Sequence, residues 1–121
     1  MAKTVKGKFY VPIYDCHVFI TIADDPVNSL NYYLRKNDDG EIDYKIEGYC
    51  YKPNTGVGKY YLFFSWDSLS NDTFNHEKSH LVENILENRN IKPRDEVRSY
   101  LDGYISTRMY KFLNDRKIKL K

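Results

Sequence analysis

Residues 76–80 read His-Glu-Lys-Ser-His, so two of the three histidines in this 121-residue chain stand four positions apart with a glutamate between them. On a helix, residues four apart share a face with Cβ atoms about 5–6 Å apart, close enough for two imidazoles to converge on one cation. Glu77 stands beside His76 around the helix, where its carboxylate can reach metal-held water without being a ligand itself. The chemistry this H-E-x-x-H pattern would do is metal-assisted hydrolysis with zinc (Zn2+). The same residues also suit a plainer role, in which the histidines are ordinary surface groups and Glu77 pairs with a nearby lysine. A third ligand would strengthen the metal reading, because catalytic zinc usually has three protein ligands and one open position.

Glu96, sixteen positions after His80, is the best candidate for that ligand. A break at Asn88–Pro93 allows the next helix to fold back antiparallel and bring Glu96 towards the histidines. Gly103 lies on nearly the same helical face as Glu96, and Ser99 is four residues before it; these small residues would let the two helices approach closely. Glu83 is a poorer candidate, since seven residues separate it from His76, about 10 Å along a helix axis at 1.5 Å per residue. Asp95 and Asp102 are fallbacks. If the first of the two helices runs to residue 89, however, the antiparallel partner of His80 falls nearer Gly103 than Glu96.

The elements that must position these groups follow from periodicity. Residues 8–23 alternate as an extended segment, with Tyr14, Cys16, Val18, Ile20 and Ile22 on one face; Pro12 makes its first half an edge, a bend or a separate short strand. Asp25-Pro26 caps a short amphipathic helix over 26–36, and the NDDG run at 37–40 ends it. Residues 42–52 alternate as a strand, PNTGVG at 53–58 turns the chain, and the doubly apolar KYYLFFSW at 59–66 completes a hairpin. Ser70, Asn71 and Asp72 offer N-caps to a helix running to about residue 88. Val97, Leu101, Tyr104, Ile105, Met109 and Phe112 then recur at helical steps over about 94–115. The fold class expected is α+β: a small mixed β-sheet with a short N-terminal helix, the HExxH helix and a long C-terminal helix, all in one domain spanning 1–121.

Composition narrows the function classes. Nineteen Lys and Arg against seventeen Asp and Glu leave a net charge of +2, far from the excess of a dedicated nucleic-acid binder, so there is no strong nucleic-acid signal. Strand tyrosines stacking on single strands remain a third-ranked alternative. No window approaches the roughly twenty apolar residues of a membrane helix, and the N-terminal segment lacks the apolar stretch of a secretory signal. Cys16 and Cys50 are too few for a disulfide scaffold and read as reduced thiols, so a cytoplasmic location is expected. His17 alternates with apolar strand positions and reads as a solvent-side histidine, and the basic tail at 116–121 complements a helix C-terminus.

Over about residues 70–105, the HExxH helix followed by Glu96 resembles the gluzincin branch of the zincin metallopeptidases. More narrowly, NHEKSHLVENIL followed by DEVRSYLDGYI is similar to small phage and prophage proteins that pair HExxH with a later acidic-AYLxGY-type segment. The resemblance implies His76, His80 and Glu96 as zinc ligands, Glu77 as base, a minimal zincin-like fold and an exposed edge strand able to pair with an extended peptide. Many gluzincins carry an Asp four residues beyond the ligand Glu; Tyr100 occupies that place here. Tyr100 is also the candidate to stabilise a developing oxyanion, against a plainer role in helix packing. The expected function is a zinc-dependent metallopeptidase acting on a protein or peptide substrate. The alternative is a non-enzymatic phage interaction or virion protein in which metal clamps the last two helices together.

Overall fold

The computed structural model describes residues 3–53, 58–92 and 94–121. Its elements are strands β1 (Val5–Val11), β2 (Cys16–Ala23), β3 (Gly48–Tyr51) and β4 (Lys59–Ser65), and helices α1 (Val27–Lys36), α2 (Asn71–Asn88) and α3 (Asp95–Asp115). The four strands form one mixed sheet in the order β1-β2-β4-β3: β2 and β4 are parallel, and the two outer pairs are antiparallel. The α+β class expected from the periodicities is the class observed.

Local chemistry accounts for the breaks. Pro12 opens a single 3-10 turn over Pro12–Tyr14, closed by Asp15 at φ 47°, so the extended 8–23 segment becomes two antiparallel strands rather than one. The Val27 amide donates to Asp25 Oδ1 at the start of α1, and Asp38 (φ 56°) and Gly40 (φ 83°) turn the chain after it. Strand β3 is shorter than the alternation over 42–52 suggests, because Asn31 on α1 takes both backbone groups of Ile42 at 2.9 Å and draws that stretch off the sheet. The tip at 54–57 lies outside the described residues. Ser70 caps α2 through its hydroxyl, which accepts from the Thr73 amide at 3.2 Å.

Two hydrophobic layers flank the sheet. On one side Val18, Ile20, Ile22, Leu62 and Phe64 pack against Phe74, Leu81 and Ile85 of α2 and Ile105, Met109 and Phe112 of α3. On the other, Leu30 and Leu34 of α1 cover Tyr51, Tyr61 and Phe63. The basic tail folds back, its Lys121 amide donating to the Leu69 carbonyl at 3.0 Å. Among the described residues, no helix is long and apolar enough to cross a membrane.

Candidate metal centre

Helix α2 lies beneath β3, and a stripe along it carries the candidate chemistry. The imidazoles of His76 and His80 are exposed, nearly perpendicular (83°), and their Nε2 atoms are 3.2 Å apart. An ion bound at the usual 2.0–2.1 Å from each would subtend roughly 100° between them, close to a tetrahedral angle. That distance is compatible with two positions of one zinc ion, and it is equally the length of an imidazole–imidazole hydrogen bond.

Glu77, next to His76, is turned into the protein. It is only 6% exposed, and it lies so close beneath β3 that a Cβ on Gly48 would stand 2.9 Å from its Cγ and 3.1 Å from its Oε2. Burial raises the proton affinity of the carboxyl, and the neighbouring His76 and His80 lower it by less, so the net shift is upward. Among the described residues Glu77 forms no ion pair. Glu77 and His76 share an open cleft of about 370 Å³ with Glu47, Gly48, Asp72 and Thr73. Glu47 and Gly48 are residues the sequence argument passed over. A glycine within an alternating strand pattern, which marks a close backbone approach, was the available signal.

The remaining candidates stand apart from the pair. Helices α2 and α3 are antiparallel, with Lys78 bonded to Asp102 at 3.3 Å and Glu83 to Arg98 at 3.1 Å. In that register His80 stands opposite about residue 101, and Glu96 lies five residues away, about 7–8 Å along the axis. Glu96 is exposed in the first turn of α3 beside Asp95, where both carboxylates face the positive end of the helix dipole. The structure thus does not bring Glu96 to the histidines, because α2 continues to Asn88 before the chain turns back.

The poorer candidate Glu83 is paired with Arg98, the fallback Asp102 is paired with Lys78, and the fallback Asp95 lies beside Glu96 in the first turn of α3. Tyr100 is 76% exposed and lines an apolar cleft with Pro12, Ile13 and Tyr104, a cleft whose lining includes neither His76 nor His80. Gly103 meets open space instead of α2, so close helix packing there is corrected. His17 is exposed on β2, as expected. Among the described residues no group of three or more His, Cys, Asp or Glu side chains converges as a metal site.

Comparison with known proteins adds no relative: no family model matches the chain, and neither does any curated protein or solved structure at a significant level.

Proposed function

We propose that this chain is a zinc-dependent metallopeptidase of minimal, zincin-like design, with His76 and His80 as the ligands that α2 supplies and Glu77 as general base. One observation carries the reading: two imidazole nitrogens 3.2 Å apart on one helical turn, with a buried carboxylate between them in sequence and an open cleft alongside. A bound zinc ion would act as a Lewis acid towards a peptide carbonyl and as an activator of water. Everything else falls to the chain's own residues. Glu77, an acceptor when ionised, takes the proton of the attacking water and returns it to the departing amide nitrogen, so protons balance over a turnover. Gly48, with no side chain of its own, leaves Glu77 room beneath the strand. Strand β3 pairs only with β4 and has no strand on its other side among the described residues, so an extended peptide can add there by main-chain hydrogen bonds.

A second reading is a metal-bridged interaction protein without catalysis. It is favoured by the absence, among the described residues, of a third ligand beside the histidines, which leaves positions that a partner's side chain would fill. The clamp between the last two helices needs no metal in either reading, because Lys78–Asp102 and Glu83–Arg98 supply it. Cleavage profiling of a peptide library with zinc-loaded wild type and Glu77→Gln tests the choice. The peptidase reading expects cleavage by wild type alone, with zinc retained by both proteins. Zinc binding without cleavage by either protein would leave the interaction reading.

A further inference from the structure

On the sheet face opposite α2 and α3, α1 covers β3 and β4 and reaches only as far as Phe19 on β2. Beyond it, the outward residues of β1 (Lys6, Lys8 and Tyr10), His17 of β2 and Lys59 of β4 are all exposed. The strand register makes them one surface: Lys8 is opposite Phe19, Tyr10 opposite His17, and His17 opposite Lys59. The rings form a continuous line. Tyr10 and His17 have centroids 4.9 Å apart, His17 and Phe19 6.5 Å, and Phe19 stacks on the nearly buried Tyr61 at 5.1 Å. Asp15, at the rim, accepts the Tyr10 hydroxyl proton at 2.5 Å and so fixes that ring. Among the described residues none of Lys6, Lys8 and Lys59 is in an ion pair.

We propose that this face of β1, β2 and β4 binds single-stranded nucleic acid, with bases stacking on the exposed rings of Tyr10 and His17 and phosphates contacting Lys6, Lys8 and Lys59. The net charge of +2 is a sum over the whole molecule and does not describe this face, where three lysines without an ion pair among the described residues flank an aromatic line. Flat π-faces between cations match the alternation of base and phosphate along a single strand and have no counterpart in an acidic polypeptide. The surface lies on the opposite side of the sheet from His76 and His80, so the inference stands or falls independently of the metal reading.

The test is fluorescence anisotropy of a short labelled oligothymidylate with the full chain. Three phosphate contacts give a salt slope near −2, so affinity falls about 15–20-fold between roughly 50 and 200 mM salt. The Lys6→Glu/Lys8→Glu variant loses at least about tenfold in affinity and about two-thirds of that slope. His17→Ala weakens binding about fivefold or more through lost stacking. His76→Ala, on the far side, binds as wild type does. Absence of saturable binding would overturn the proposal, as would undiminished binding by the double-Glu variant. Competition by polyglutamate as strong as that by unlabelled oligothymidylate would also overturn it, reassigning the face to acidic polypeptides.

Discussion

On the side of α2 that faces α3, charges come in pairs: Lys78 with Asp102 and Glu83 with Arg98. On the side beneath β3, Glu77 is buried with no ion pair among the described residues, one position from the exposed His76. The first arrangement holds two helices in register. The second does little for folding, since a buried carboxyl without a paired charge is an energetic liability unless a ligand or reaction uses it. On the proposed reading one helix separates fastening from chemistry by the side on which each group sits, and mutations on the two sides should fail differently.

The largest effect is expected at Glu77. Glu77→Gln should lower peptide hydrolysis by about 10²–10⁴-fold, the range for loss of a positioned base, while thermal melting stays at or above wild type. Loss of activity accompanied by an equal loss of fold would erase the distinction between the two sides. Next is Gly48→Ala, whose new Cβ would stand 2.9 Å from both Thr73 Cγ2 and Glu77 Cγ. We expect about 1–3 kcal/mol of destabilisation in urea unfolding, with reduced hydrolysis because Glu77 must shift.

A buried titratable group remote from the cleft supplies a control. Cys16 is fully buried on β2, and burial pushes its thiol up to about 11. The folded state therefore keeps its proton where the unfolded chain, with a thiol near 8.5, loses it. Stability should be undiminished below about pH 8.5 and then fall by roughly 1.4 kcal/mol per pH unit up to about pH 11. The difference between wild type and Cys16→Ala across that window reads this contribution directly, and hydrolysis is untouched by the substitution.

The smallest effects belong to the α3 side. Lys78→Ala removes a contact that is mostly buried at the lysine (side chain 12% exposed) and should cost about 1 kcal/mol. Arg98→Ala, whose partner Glu83 is more exposed, should cost under about 0.5 kcal/mol. Neither should alter hydrolysis, and a catalytic defect in either would show the two sides to be coupled.

The same contrast explains what was legible in the amino-acid order. The approach of His76 to His80, the Ser70 cap and the turn after α1 are set by residues within four positions of one another, where helix geometry and turn chemistry leave little choice. The placing of Glu96 depends instead on how far α2 runs and how the loop to α3 turns back, quantities that no local pattern fixes. The shortening of β3 has the same character: Asn31, eleven residues earlier, captures Ile42 and overrides an alternation that reads as strand. Glu77 was legible as a chemical group, yet its burial required β3 to cross above it, a consequence of strand order.

The most direct test of the central claim is a calorimetric titration of metal-free protein with zinc. The account predicts one saturable site per chain that is abolished in both His76→Ala and His80→Ala, retained in Glu77→Gln, and changed by less than about threefold in Glu96→Ala. Wild type without saturable zinc binding, or with binding that survives loss of either histidine, would contradict it.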